Sequence, residues 1–211
     1  MPDIILHHYH TSPFSEKVRL ILGYKGLAWQ SVLIPQIMPK PDVVALTGGY
    51  RKTPVLQLGA DVYCDTALAA KVIDRLQPTP PLYPASAALA EPLAQWADST
   101  LFWNVVPWVM QPAAAPALMG GASPETLKAF AADRAPFTAG LKRLTVPEAR
   151  IQVLRHLQAL DRQLAQQNQD GRTFLFGSDV SIADFSVAHC LWFLRRAKPV
   201  AGLLDPFVAL N

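Results

Sequence analysis

The chain has 211 residues, of which 51% are hydrophobic and 17% are charged, and this balance excludes a disordered tail or an acidic solvating segment. Its net charge of +3 comes from basic residues spread along the sequence without a basic tail or an aromatic-basic ladder, so we expect no nucleic-acid partner. No apolar run approaches the roughly 20 residues that span a bilayer, and no membrane partner is expected. A globular protein with one large or two small domains is predicted.

The two cysteines, Cys64 and Cys190, have neither the spacing of a disulfide framework nor that of a zinc site. The N-terminus carries Asp3 and no basic region before Ile4, which is not the pattern of a secretory signal. We therefore expect a cytoplasmic protein.

The chain opens with an apolar run at residues 4–6, which has the length of a strand, followed by a clearly marked helix start. Ser12 can cap the first turn, and Pro13 suits the first helical position, where its missing N–H costs nothing. Apolar residues then recur at helical spacing at Val18, Ile21 and Leu22. This turn brings one hydroxyl to the positive end of a helix dipole, where it can stabilise an anion such as a thiolate. The alternative is an ordinary capping serine.

The remainder of residues 1–77 continues the alternation of strands and helices. Residues 29–34 are predicted to be a strand, and the many proline and glycine residues of 35–53 allow only a short, irregular helix. Residues 55–64 predict a hairpin around the turn 59–61, and Asp65-Thr66 can cap the helix that follows. The predicted order is β-α-β-α-β-β-α, a compact mixed α/β domain.

A proline-rich stretch at 78–86 predicts an interdomain linker, because it fits neither a helix nor a central strand. Residues 87–211 are helical in pattern, with predicted helices at 86–112, 123–142, 147–167 and 181–196. Pro107 and Pro112 should kink or end the first of these helices. At the start of the last one, Ser181 and Asp184 have the spacing of a capping box, and Val180 and Phe185 that of a hydrophobic staple.

Three histidines lie close together at His7, His8 and His10. In a strand, His8 and His10 would point to one face and His7 to the other. Only two of the three could therefore ligate one metal ion, and the sequence indicates no third ligand for that face. We therefore expect no metal site.

Four motifs resemble those of the cytosolic glutathione transferase superfamily. They occur in the order of that superfamily, on both sides of the proline-rich linker, and the resemblance covers essentially the whole chain. The segments that carry the resemblance are Ser12-Pro13-Phe14-Ser15 with Lys17-Val18-Arg19, Lys52-Thr53-Pro54-Val55-Leu56, Asp65-Thr66, and residues 177–184. The first of them is similar to the S/C-P-F pattern of the serine- and cysteine-type classes. The implied fold is an α/β thioredoxin-like N-terminal domain (1–77), a linker (78–86) and an all-α C-terminal helical bundle (87–211).

The resemblance implies a glutathione site in the N-terminal domain. Ser12 would donate its hydroxyl to the glutathione thiolate; Tyr9 is the runner-up, because other classes use a tyrosine near the end of the first strand. A cis peptide before Pro54 would turn the backbone of Thr53 toward the ligand. The expected glutathione-binding residues are Phe14, Lys40, Lys52, Thr53, Pro54, Asp65 and Thr66. Lys40, Arg51 and Lys52 are the candidates for the glycyl carboxylate, and Lys52 matches the family position best. For each of Lys40, Arg51 and Lys52, an exposed surface charge is the alternative.

The resemblance also implies a pocket for the electrophile between the domains. Its expected lining is Phe14 together with Phe102, Trp103, Val106 and Met110. These aromatic and apolar positions have an alternative role as plain core. The chain stops at Asn211, about where family members enter a further helix that often closes the electrophile pocket. The resemblance therefore implies either a clipped chain that lacks this last helix or an open pocket.

The implied activity is that of a glutathione transferase, in which glutathione, a co-substrate, attacks a small hydrophobic electrophile or a peroxide. Two alternatives stay open: a glutathione-dependent isomerase or dehalogenase, and a non-catalytic binding or regulatory protein with the same fold. A thiol-transfer enzyme would want a cysteine at position 12, which is absent. A homodimer is expected from the resemblance.

Overall fold

The computed structural model describes residues 3–140 and 143–211. Two compact units are present, Met1–Leu82 and Tyr83–Asn211, and the division between them falls inside the proline-rich stretch. Residues 141 and 142, which belong to the predicted helix 123–142, lie outside the described residues.

The first unit has the predicted order of strands and helices, with a four-stranded sheet. Its elements are β1 (Ile4–His8), α1 (Pro13–Tyr24), β2 (Gln30–Leu33), α2 (Pro41–Thr47), β3 (Val55–Leu58), β4 (Asp61–Cys64) and α3 (Thr66–Leu76). The short helix predicted within 35–53 is α2, and the predicted hairpin is β3–β4.

The sheet has the strand order β2-β1-β3-β4, so β1 is a central strand. It pairs in parallel with β2, where Leu6 lies opposite Ser31, and antiparallel with β3, where Leu6 lies opposite Leu56. Both leucines are fully buried, as are Val18 and Ile21 of α1. The apolar residues of α1 therefore pack in the core. The polar N-terminus of that helix lies just after the C-terminal end of β1.

The two helix starts predicted in this unit are confirmed. Ser12 is the N-cap of α1, and its hydroxyl oxygen accepts from the backbone N–H of Ser15 at 3.2 Å. Asp65 is the N-cap of α3, and its carboxylate accepts from the N–H of Ala67 at 2.7 Å. In both cases the cap satisfies a backbone donor that has no partner within the helix.

The second unit is helical. Its α-helices are α4 (Ala90–Trp96), α5 (Phe102–Val109), α6 (Ala115–Leu118), α7 (Pro124–Thr138), α8 (Val146–Gln169) and α9 (Ile182–Arg196). A π-helical segment, Ala97–Leu101, joins α4 to α5, and two 3-10 turns, Lys198–Leu204 and Val208–Leu210, follow α9. Within residues 3–140 and 143–211, no helix combines the length and apolar character needed to cross a membrane.

The helix predicted over about 86–112 is present, but it starts later, ends earlier and contains a π-helical turn. The helix begins only at Ala90 and widens into a π-helical turn, where the N–H of Phe102 bonds the carbonyl of Ala97 five residues back. Pro107 lies inside α5, and that helix ends at Val109, before Pro112. Apolar periodicity could not predict this turn, because a π-helical segment of five residues is too short to show a period of its own.

The capping box predicted at the start of α9 is confirmed. The Asp184 carboxylate accepts from the backbone N–H and the hydroxyl of Ser181, each at 2.8 Å. Its other oxygen accepts from the N–H of Leu175 at 2.9 Å, which ties the preceding loop to the helix.

Candidate active site

Ser12 lies at the N-terminus of α1 and is 2% exposed. Its backbone N–H donates to the carbonyl of Tyr9 at 3.2 Å, which closes a tight turn between β1 and α1. Its hydroxyl oxygen uses one lone pair to accept from Ser15, and this leaves the hydroxyl proton for donation. A helix N-terminus with an added O–H donor is suited to an anion.

Tyr9 lies at the other end of the same turn and is half-buried. Its ring packs against the small apolar cluster of Ile34, Val43 and Val55. Ser12, rather than Tyr9, lies at the helix N-terminus, as its capping pattern predicts.

Lys40 is 2% exposed, so the alternative of an exposed surface charge is wrong for this residue. Its ammonium group donates to the hydroxyl of Thr53 at 3.1 Å and to the carbonyl of Arg51 at 3.4 Å. It also lies 5.7 Å from the centre of the Tyr9 ring, within cation–π range. Lys40 therefore connects the start of α2 to the segment before β3, whereas Lys52 is exposed.

The peptide bond between Thr53 and Pro54 is cis, as the resemblance implied. Pro54 is buried directly before β3, and Thr53 is half-buried. Two further cis bonds, Met38-Pro39 and Thr79-Pro80, lie outside the predicted site.

Asp65 is exposed, and its backbone has a φ of 81°, a left-handed conformation that non-glycine residues adopt rarely. Among the residues that the structure describes, it is the one non-glycine residue with a positive φ. One carboxylate oxygen caps α3, and Thr66, the first residue of that helix, is buried. Rare backbone conformations of this kind concentrate at ligand sites.

Tyr50 is a residue near this site that the sequence did not single out. It packs on the cluster of Ile34, Val43 and Val55. Burial, followed by the charges of Asp65 and Cys64, raises the pKa of its phenol to about 12. The phenol therefore remains protonated and can act as a donor. No local pattern predicts this, because the effect comes from residues distant in sequence.

His8 is the second residue that sequence reasoning missed as part of this region. It is 1% exposed, and its ring contacts the Ser31 hydroxyl at 2.7 Å and the Arg19 guanidinium at 3.0 Å. Burial, then the charges of Arg19 and His10, lower its pKa from 6.5 to about 4. No group of three metal-ligating side chains occurs within the described ranges.

Of the residues predicted to contact the electrophile, Phe14 is half-buried in α1 of the first unit, and the other four lie on or just after α5 in the second unit. Phe102 is buried there, with its ring stacked on Phe193 at 6.1 Å between centroids and edge-on to Trp103 at 5.2 Å. Trp103, Val106 and Met110 are half-buried. Phe102 thus packs in the core of this unit, and the other three retain exposed surface.

Two family profiles match the chain. The glutathione S-transferase N-terminal domain matches residues 6–81, and the glutathione S-transferase C-terminal domain matches residues 128–211. No curated protein is similar enough to count as a match.

Among solved structures, a GST-like protein from Pseudomonas syringae is 44% identical with a TM-score of 0.78. The match covers 100% of this chain and 64% of that one, so this chain spans less than two thirds of that relative. A glutathione S-transferase from Rhodospirillum rubrum F11 is 20% identical with a TM-score of 0.72, and the match covers 98% of this chain and 84% of the other.

A glutathione S-transferase-I structure bound with lactoylglutathione has 17% identity and a TM-score of 0.71, and the match covers 100% of this chain and 90% of the other. The last two likenesses concern the fold. Together with the capped serine at the start of α1 and the cis proline before β3, the two matched domains lead to one conclusion: the chain belongs to the glutathione S-transferase superfamily.

Proposed function

We propose that the protein is a glutathione transferase that binds glutathione in its first unit, where the hydroxyl of Ser12 stabilises the thiolate left when the thiol proton passes to water. The observation that carries this proposal is the buried Ser12 hydroxyl at the N-terminus of α1, whose proton is not used by the helix cap. The serine is a donor to the thiolate, and the nucleophile is the sulfur of glutathione.

The energy required for this role is modest. A free thiol has a pKa of about 8.5, and lowering it by about two units requires roughly 2.7 kcal/mol. A charge-assisted hydrogen bond is worth about 1.5–3 kcal/mol, and a helix N-terminus adds about 0.3–1 kcal/mol. The hydroxyl of Ser12 and the dipole of α1 together can therefore hold a thiolate at neutral pH.

The other groups of glutathione find complementary partners among the residues of the first unit. The Asp65 carboxylate suits the γ-glutamyl ammonium group, and Thr66 with the first amides of α3 suits the γ-glutamyl carboxylate. The backbone of Thr53 before Pro54 suits the peptide groups of the ligand. Phe14 contributes apolar contact.

Two cations, Lys40 and Lys52, are assigned to the glycyl carboxylate. Lys40 is the better placed of the two in energetic terms, because its buried ammonium is already held by the Thr53 hydroxyl and the Arg51 carbonyl. A preorganised cation loses little side-chain entropy on binding an anion, which favours Lys40.

The proposed second substrate is a small hydrophobic electrophile or a peroxide. The thiolate attacks an electrophilic carbon, the new S–C bond forms, and the leaving group departs with the electron pair of its bond. Trp103, Val106 and Met110, which recur at helical spacing and keep exposed surface, are the proposed apolar contacts, with Phe102 beside them in the core.

The test is calorimetric titration of glutathione into the wild-type protein and into Asp65→Asn, followed by a panel of electrophiles, peroxides, isomerisation substrates and halogenated substrates. We expect wild-type binding, at least tenfold weaker binding by Asp65→Asn, and turnover of one substrate class. Binding without turnover of any class would favour a non-catalytic binding protein. No binding of glutathione would overturn the proposal.

We further propose that the protein is a cytoplasmic homodimer, as is usual in this superfamily. Neither Cys64 nor Cys190 forms a disulfide, which fits a reducing compartment. Light scattering on the purified protein tests the dimer, with a mass of about twice 23.1 kDa expected and the monomer mass contradicting it.

A further inference from the structure

The buried ring of His8 uses both of its nitrogens. Nδ1 lies 3.0 Å from a guanidinium nitrogen of Arg19, and Nε2 lies 2.7 Å from the hydroxyl of Ser31. Arginine has no acceptor, so Nδ1 must present its lone pair to Arg19. The proton of the neutral ring therefore resides on Nε2, which donates to Ser31.

Arg19 joins this histidine to the turn that precedes Ser12. Its guanidinium donates to the Glu16 carboxylate, with a 2.9 Å contact from Nε, and to the carbonyl of His10 at 3.3 Å. His10 lies within the turn that the Ser12 N–H closes onto the Tyr9 carbonyl at 3.2 Å. Two contacts thus restrain the turn: the hydrogen bond from the Arg19 guanidinium to the His10 carbonyl, and the backbone hydrogen bond between Ser12 and Tyr9.

We propose that Arg19, fixed in place by the neutral ring of His8, is a positioning residue that holds the 9–12 turn and so aims the Ser12 hydroxyl at the thiol. This inference rests on the proposed function. A hydrogen bond to an anion weakens steeply when its donor is displaced or tilted, so a loose turn costs thiol ionisation. Glu16, which restrains Arg19 on one side, belongs to the same helix, whereas His8, which restrains it on the other, belongs to strand β1 of the sheet.

Arg19 should affect the ionisation of the glutathione thiol and not the binding of glutathione. Arg19 reaches the His10 carbonyl and the His8 ring through contacts that do not require a ligand. Losing its restraint should therefore leave glutathione affinity nearly unchanged and reduce the fraction of bound glutathione present as thiolate. In kinetic terms, kcat/KM for the electrophile should be reduced at low pH. It should return to the wild-type value as the pH rises above the pKa of the bound thiol.

The chain offers a matched pair of variants at position 8. Asparagine carries an amide oxygen the same number of bonds from Cα as Nδ1, and leucine has the same branched shape without an acceptor. His8→Asn keeps an acceptor for Arg19, and His8→Leu removes it. Ser31→Ala is the control for the other side of the ring, since it leaves the Nδ1 contact intact.

The experiment measures thiolate absorbance of glutathione bound to each variant as a function of pH, together with hydrogen exchange of the Ser12 amide. His8→Leu is expected to raise the bound thiol pKa by about one unit, a tenfold loss of thiolate at a fixed pH below it, and to speed that exchange. His8→Asn and Ser31→Ala should stay near wild type. Arg19→Met, which keeps an apolar stem without donors, should reproduce His8→Leu and gives a second route if that variant does not fold.

Equal thiol ionisation in wild type, His8→Leu and Arg19→Met would overturn this inference and leave the proposed function intact. A raised thiol pKa in His8→Asn equal to that in His8→Leu would also overturn it, because the acceptor would then be irrelevant. Absence of thiolate in the wild-type complex would instead overturn the proposed function, and the inference with it.

Discussion

The ammonium group of Lys40 donates to the hydroxyl of Thr53 at 3.1 Å, although the two residues belong to different segments of the first unit. Lys40 precedes α2, and Thr53 precedes the cis proline and β3. A buried cation is costly unless it is hydrogen-bonded, and this contact supplies part of that compensation. It also fixes a positive charge next to the backbone that we assign to glutathione binding.

Lys40→Met is expected to weaken glutathione binding about tenfold or more, because a hydrogen bond to a charged group is worth roughly 1.5–3 kcal/mol. The loss should be larger than for Lys52→Met. Calorimetry with glutathione and with its glycyl ethyl ester, which lacks that carboxylate, checks the assignment. If Lys40→Met weakens binding of the ester as much as that of glutathione, Lys40 acts only by holding the Thr53 segment.

The stability of the first unit should fall as the pH decreases from 6.5 toward 4. Burial first, and then the charges of Arg19 and His10, lower the folded-state pKa of His8 from 6.5 to about 4. Between these pH values the unfolded chain binds a proton at His8 that the folded chain does not. The contribution of His8 to the free energy of unfolding is therefore complete above pH 6.5 and is lost progressively below it. It amounts to about 3 kcal/mol at most.

Urea denaturation at pH 7 and pH 5 checks this, with His8→Asn as the comparison. The wild type should lose about 2 kcal/mol more between the two pH values than the variant does. His156, whose pKa is also lowered, chiefly by burial, contributes equally to both proteins and cancels. Parallel pH profiles would contradict the assignment to His8.

Ser15→Ala should leave stability unchanged or raise it by up to about 1 kcal/mol. Ser15 is fully buried, and within the described part of the chain its hydroxyl has no hydrogen-bond partner. Its backbone N–H, which Ser12 caps, is retained in alanine. Thermal denaturation measures the effect, and a loss of more than about 1 kcal/mol would reveal a partner for this hydroxyl.

Asp184→Ala should destabilise the second unit by about 2–3 kcal/mol, because one charged acceptor serves three donors there. Ser181 contributes two of these donors and Leu175 the third. Hydrogen exchange at Leu175 and along α9 should accelerate. Unchanged exchange at Leu175 would mean that another contact holds the loop.

Features encoded in adjacent residues were predictable from the sequence. Ser12 and Ser181 start their helices because the cap and the residues it serves lie within one turn. The hairpin of β3 and β4 follows in the same way from alternation around a short turn.

Features that depend on distant partners were not predictable from local pattern. Nothing in the sequence around Lys40 marks it as buried, and the partners of its ammonium group, Arg51 and Thr53, lie on another segment. The sequence gives no sign of the hydrogen bonds of His8, since its partners Arg19 and Ser31 lie on other elements. The π-helical segment 97–101 likewise has no periodicity of its own in the sequence.

The proposed activity depends above all on the hydroxyl of Ser12, and the ultraviolet titration of the glutathione thiol bound to wild type and to Ser12→Ala tests this role. We predict a bound thiol pKa about two units below the free value of about 8.5 in wild type, and a value near 8.5 in the variant, which still binds glutathione. Ser15→Ala, in the same helical turn, should match wild type. Equal ionisation in wild type and Ser12→Ala would contradict this role of Ser12, and loss of ionisation in Tyr9→Phe would then assign the role to Tyr9.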